Sequence, residues 1–162
     1  MSLEAFTTAA LVRVEAGFTN NALITDPIIE PHVISANAEI EGCVSAKYNV
    51  PLSINTNYSG SYAENFLKGL ATQLAASELS LQQFEGQGGD LIRMAQSKID
   101  LVREKLAKLK SGSLHLLDTE GVELSLKEAA LRTVKGFPKN SNLTEPDEPT
   151  TVEPVVTMGE RF

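Results

Sequence analysis

The residues able to do chemistry in this 162-residue chain are few and scattered. Gly86-Gln87-Gly88-Gly89 ahead of Asp90 resembles in composition a phosphate-cradling loop that opens a helix. It lacks the Lys-Ser/Thr pair that reaches phosphate and metal, and no buried strand precedes it. It therefore reads as a flexible break between helices. A protein metal site gathers His, Cys, Asp or Glu side chains at short spacings. His32 and His115 are distant, neither has a suitable helical partner four residues away, and Cys43 is the only cysteine. Both histidines read as surface or internally satisfied groups. Cys43 falls in an apolar stripe with no cation beside it to favour a thiolate, so it reads as a small buried thiol. No Gly-x-Ser-x-Gly elbow is present. Glu39 and Glu41 point to different helix faces, and Asp118 and Glu120 sit on a turn. All four read as solvated acids, not as the converging pair that acid–base catalysis needs. The chain reads as a non-enzyme without catalytic, cofactor-binding or metal-binding residues.

Two regions carry binding chemistry instead. Arg93, Lys98, Arg103, Lys105, Lys108 and Lys110 make one predicted helix locally basic. Its C-terminal lysines complement the helix dipole on a solvated face. Lys105, Lys108 and Lys110 are also candidates for contact with an acidic partner, and the interspersed Asp100 and Glu104 argue against DNA phosphate as that partner. The second region begins at Phe137, where Pro138, Pro146, Pro149 and Pro154 come with Ser, Thr, Asn and acids. Such a segment cannot build a core and is expected to be extended or disordered by itself. Val152, Val155 and Val156 are β-branched residues suited to adding a strand to an open sheet edge, and Phe162 is a terminal aromatic anchor. Residues 1–136 are the expected domain and 137–162 the expected arm.

Bulk properties narrow the classes further. The net charge of −7 disfavours a general nucleic-acid binder, which needs a basic surface to neutralise phosphates. A single cysteine excludes an intrachain disulfide. No stretch approaches the roughly 18 apolar residues of a membrane span. The first residues lack the basic region and apolar core of a signal peptide, so synthesis and assembly in the cytoplasm are expected. Tryptophan is absent and aromatics are few, which leaves aliphatic residues and alanine to fill a core of close-packed helices.

The elements that must position these residues are mostly helical. A short helix is expected over 8–16, capped by Thr7 or Thr8 and ended by Gly17, with Leu11 and Val14 facing inward and Phe18 closing its end. A second starts with Asp26 as N-cap and Pro27 in the first turn. Its apolar face is Ile29, Val33, Ala36, Ile40 and Cys43 or Val44. Pro31 predicts a kinked or separate first turn. The end is expected near Tyr48, because residues before Pro51 avoid the helical region. Residues 49–61 are rich in turn formers and read as a loop. A third helix spans about 61–84 with Phe66 or Leu67, Leu70, Leu74 and Leu81 on its face, and Gly69 is a place where another helix can approach closely. A fourth runs from an Asp90 cap to Gly112, with Ile92, Ala95, Ile99, Val102, Leu106 and Leu109 spaced as a packing seam. Alternation around Asp118-Thr119-Glu120-Gly121 predicts a small β-hairpin. Ser125 and Glu128 suggest a capping box for a short helix over 125–135. The expected fold class is mainly α, a four-helix core with a small β-hairpin and an extended C-terminal arm.

One stretch also carries a family resemblance. Ala36, Glu39, Ile40, Val44, Tyr48, Val50, Pro51 and Leu52 follow the pattern A-x-x-E-I-x-x-x-V-x-x-x-Y-x-V-P-L. It resembles the long first core helix of the helical head–tail adaptor (connector) proteins of tailed bacteriophages. Glu41-Gly42-Cys43 departs from the aspartate and larger apolar residue usual there. The order of elements over roughly residues 5 to 125 is similar too. The resemblance implies a structural virion protein at the head–tail junction, in a homo-oligomeric ring, dodecameric in the family. It implies contacts with the portal protein and with a downstream neck or tail protein, and DNA passing through an acidic channel without specific binding. The alternatives are another neck or tail-completion protein, or a small helical regulator that binds a protein or nucleic acid.

Overall fold

The computed structural model describes residues 5–85 and 89–127. The arm over 137–162 and most of the expected helix over 125–135 lie outside these. Four helices appear in the expected order: α1 (Ala9–Glu15), α2 (Asp26–Val44), α3 (Tyr62–Gln83) and α4 (Asp90–Ser111). Among the described residues no helix is long and apolar enough to cross a membrane.

α3 and α4 follow directly from their sequences. The Ser61 hydroxyl accepts the Glu64 amide at 3.1 Å and so caps α3. Phe84 closes the helix, its amide bonding the Ser80 carbonyl. In α4, Ala95, Ile99, Val102, Leu106 and Leu109 are buried in one seam, as their spacing predicts, while Ile92 is half-buried. Gly112 ends α4 at φ +80°, a backbone region that disfavours a side chain. The N-cap of α4 is Gly89, so Asp90 is its first residue, where its charge still favours the positive helix end.

α2 and α1 depart from expectation in detail. Thr25 is the N-cap of α2, and Asp26, now the first helical residue, pairs with Arg13 of α1 at 2.5 Å. Pro31 does not separate the first turn: α2 is one continuous helix through it. Pro27 and Pro31 both face solvent, where water can satisfy the carbonyl that Pro31 cannot bond. α2 stops at Val44, short of Tyr48, because the chain turns there to pair Tyr48 with Leu126 in an antiparallel bridge. In α1 the inward residue is Val12, and Leu11 and Val14 are exposed (49% and 63%). Asn37 Oδ1 of α2 accepts the amides of Phe6 (3.1 Å) and Thr7 (3.2 Å), and the Thr7 and Thr72 hydroxyls bond at 2.8 Å. These anchors set the rotation of α1, so the stripe Ala9, Val12 and Ala16 meets the core.

The layers follow from α3. It packs against α1, α2 and α4, whereas α1 and α4 do not pack on each other. With about 100° of rotation per residue, the side of α3 carrying Thr72 meets the α1 segment. The side carrying Glu78 and Gln82 meets α2 through His32, and the α4 side is marked by Arg103 reaching Glu78 and by Ser77 lining a hollow with Ala95. α1, α3 and α4 thus make one layer, and α2 lies across it on one face.

The expected hairpin is replaced by a tight turn. Asp118 Oδ1 accepts the amides of Glu120 (2.8 Å) and Val122 (2.9 Å), Gly121 takes φ +78°, and a single antiparallel bridge joins Leu117 to Glu123. Two cross-bonds flank the bridge, Asp118 amide to Val122 carbonyl and Leu124 amide to Leu116 carbonyl, but no strand forms among the described residues. The Leu116 amide, which would extend the ladder, goes to the Tyr48 hydroxyl, and the Val122 amide goes to the Asp118 carboxylate. Leu126 is bridged to Tyr48, so Ser125 opens no helix at that point.

Candidate interaction surfaces

Of the residues expected to bind partners, Val152, Val155, Val156 and Phe162 lie outside the described residues. The lysines Lys105, Lys108 and Lys110 are on the last turns of α4; Lys105 and Lys108, three residues apart, both act on Glu104, and Lys110 lies on another side of the helix. Lys105 opens onto the face between α1 and α4. Lys108 pairs with Glu104 one turn back at 2.6 Å, an exposed pair of small energetic weight. Lys110 turns toward α2, where its charge is felt by Cys43. Burial and the Glu39 carboxylate push the Cys43 thiol up, and Lys110 only partly opposes them. Cys43 itself is half-buried rather than fully buried.

Two polar clusters, neither of them marked by sequence spacing, join distant segments. The first is centred on Glu123. Its Oε1 lies 2.8 Å from Lys47 Nζ, accepts the Tyr48 hydroxyl at 3.0 Å, and stands 2.7 Å from His115 Nδ1. Lys47 Nζ is 3.2 Å from the same ring nitrogen and 5.1 Å from the Tyr48 ring centre. The Tyr48 hydroxyl in turn accepts the Leu116 amide. The Lys47 side chain is 9% exposed. Burial pushes Glu123 up, but hydrogen bonds from Lys47, His115 and Tyr48 outweigh it, and the carboxyl sits below its ordinary value. For Lys47, burial works downward and the bonds to Glu123 and Tyr48 win, holding the ammonium above its ordinary value. These groups spend their polar capacity on one another and act as a clamp between the end of α2 and residues 115–127. His115, expected to be surface-lying or satisfied, is both exposed and bonded.

The second cluster crosses three helices. Arg103 of α4 holds Glu39 of α2 (Nε–Oε1 3.0 Å) and reaches Glu78 of α3 at 3.9 Å. His32 of α2 lies 2.7 Å from Gln82 Oε1 and 3.7 Å from Glu78. Burial, with Glu39 nearby, pushes the Glu78 carboxyl up despite His32 and Arg103. Glu39 is therefore partnered, not the freely solvated acid its spacing suggests.

A groove runs along α3 on the side away from α2. Phe66, Gly69, Gln73 and Ser80 form its floor; Leu11 and Glu15 of α1 and Met94, Lys98 and Lys105 of α4 form its walls. It holds hollows of about 480 and 220 Å³, and the Glu15–Lys98 pair, at 3.8 Å, lies between α1 and α4. A methyl group built on Gly69 meets nothing within 4 Å. The close approach expected at Gly69 is therefore not made by any helix among the described residues. Tyr62 stacks on Phe66 at the same end of α3 and is itself exposed. A sequence signal for the groove exists: Leu91, Met94, Lys98, Leu101 and Lys105 recur at helical spacing beside the buried seam. A scan of protein-family models, a search of curated proteins and a search of solved structures found no match to this chain.

Proposed function

We propose that this chain is a structural virion protein, a head–tail adaptor whose ring sits beneath the portal of a tailed bacteriophage. The ring extends the DNA channel and docks the next neck or tail component. The observation that carries this reading is the role of the resembling segment in the fold. Ala36, Ile40, Val44, Tyr48 and Leu52 are all 0–1% exposed, and they run from the middle of α2 through its clamp into the turn before α3. Five of the eight residues of the resemblance are thus core residues.

In this reading no bond is made or broken. Helix faces pack between subunits, acidic side chains keep the channel from holding DNA, and Val152, Val155, Val156 and Phe162 of the arm bind a neighbouring subunit or the portal. The ring assembles in the host cytoplasm and remains in the virion. The test is to tag the chain, recover it from assembling particles and image the product by electron microscopy. Portal protein in a coaxial ring is the expected result. Recovery of the chain alone, or in a small complex with nucleic acid, overturns the proposal in favour of a helical regulator.

A further inference from the structure

The groove on α3 and the outer face of α2 are complementary, and they lie on opposite sides of the molecule. α2 contains four carboxylates and no lysine or arginine; Asp26 pairs with Arg13 and Glu39 with Arg103, and by helical spacing Glu30 and Glu41 flank the outer face. α4 contains six cationic side chains and three acidic ones. Pro27, Pro31, Ile34, Ala38 and Gly42 recur every three or four residues and are all exposed, on the side of α2 turned away from α3. This makes a narrow, mostly apolar ridge with Glu30 beside it, and a methyl group built on Gly42 meets nothing within 4 Å. Across the molecule, the groove has an apolar floor and wall (Phe66, Leu11, Met94) with Lys98 and Lys105 at its edge. Gly69 leaves the floor open.

We infer that the groove receives the α2 ridge of a second copy of this chain. Ile34 and Ala38 seat over Gly69, and the acidic flank of α2 meets the lysines of α4. The Glu15–Lys98 pair is half-exposed, so exchanging Glu15 for an incoming carboxylate costs little. Because the two patches are different and face opposite ways, the contact is head-to-tail: each copy offers a free ridge and a free groove, and addition continues until a ring closes. The ring part of this inference rests on the adaptor reading; the contact itself does not.

Two variants at exposed positions test it. Gly69→Trp fills the groove and leaves the ridge intact. Ala38→Lys places a cation on the ridge and leaves the groove intact. Circular dichroism checks that both fold. Sedimentation velocity over a concentration series is expected to show self-association of the full chain, weakened at least about ten-fold in each variant, the size of effect expected at the centre of a contact. Mixed together, the two variants have one intact ridge and one intact groove between them, and are expected to form a one-to-one dimer and stop. Assembly unchanged in both variants overturns the contact while leaving a ring possible through other faces. Open filaments abolished by both variants keep the contact and overturn the ring. A wild-type chain that stays monomeric overturns the contact.

Discussion

Tyr48, from the turn that follows α2, donates its hydroxyl to Glu123 at 3.0 Å while accepting the Leu116 amide at the same distance, so one phenol oxygen bonds groups 75 and 68 positions further along the chain. The ring is fully buried. Tyr48→Phe keeps the ring and removes both bonds, leaving the Leu116 amide without its acceptor. The expected cost is about 1–3 kcal/mol, read from the urea midpoint at unchanged m-value, with helical circular dichroism retained.

The same clamp sets an acid limit on stability. The Glu123 carboxyl is held below its ordinary value, so the stability it contributes is present above about pH 4.3, the unfolded value, and is lost as the pH falls through the folded one. Glu123→Gln is expected to be less stable than wild type at neutral pH, with the difference shrinking as the pH drops below 4. Lys47 is held above its ordinary value, so its contribution is present below about pH 10.4 and is lost as the pH rises through the folded value. Urea unfolding of both proteins from pH 3 to 8 checks the acid side.

Glu78 has the opposite sign. Its carboxyl is pushed up by burial and by Glu39, so the folded state favours its protonated form. Its contribution is fully present below the unfolded value and is lost as the pH rises through the folded one. Glu78→Gln is therefore expected to gain in stability relative to wild type between about pH 4 and 7. A gain confined to pH below 4 would show the sign to be wrong.

Asn37 is the anchor of the N-terminal segment. It is buried, and its Oδ1 accepts two backbone amides, those of Phe6 and Thr7. Asn37→Ala leaves both donors unmet inside the protein, at about 1–3 kcal/mol each. Faster hydrogen exchange in α1 than in α3 and α4 is the expected signature, because α1 is held through this segment.

At Gly69 the prediction is a gain. The residue is exposed within α3, and an added methyl has open space. Gly69→Ala is expected to raise stability by about 0.5–1 kcal/mol through helix propensity, measured by thermal or urea unfolding.

Deleting residues 137–162 is expected to leave helical circular dichroism unchanged and to weaken assembly. The four helices all end before residue 112, and the clamp is complete by Lys127. Assembly at the wild-type concentration after the deletion would remove Val152, Val155, Val156 and Phe162 from the proposed partner surface.

Sequence was most informative where a helix is long and its partners lie on one side. α3 has a strong local start in Ser61 and α4 a strong local stop in Gly112, and each has a seam repeated over about four turns, so their limits to within a residue or so and most of their buried residues could be read off the chain. α1 has only two turns, too few for apolar spacing to choose between Leu11 with Val14 and Val12 with Ala9. That choice was made by Asn37 and Thr72, which belong to other helices. The lysines at 105, 108 and 110 are close in sequence, yet helical rotation leaves Lys105 and Lys108 together beside Glu104 and carries Lys110 to the side of Cys43.

By itself, then, the amino-acid order determined the helical class, the order of the four helices and most of the core, because periodicity and capping are local and act within a few residues. The tertiary structure decided where α2 ends, whether residues 114–124 pair as strands, and which acids find partners. Each of those outcomes depends on a hydrogen bond or ion pair with a group far along the chain: Tyr48 with Leu126, Leu116 with the Tyr48 hydroxyl, Glu39 with Arg103. The groove belongs to the same kind, since it exists only because α1 and α4 flank α3 on opposite sides and leave the face between them uncovered.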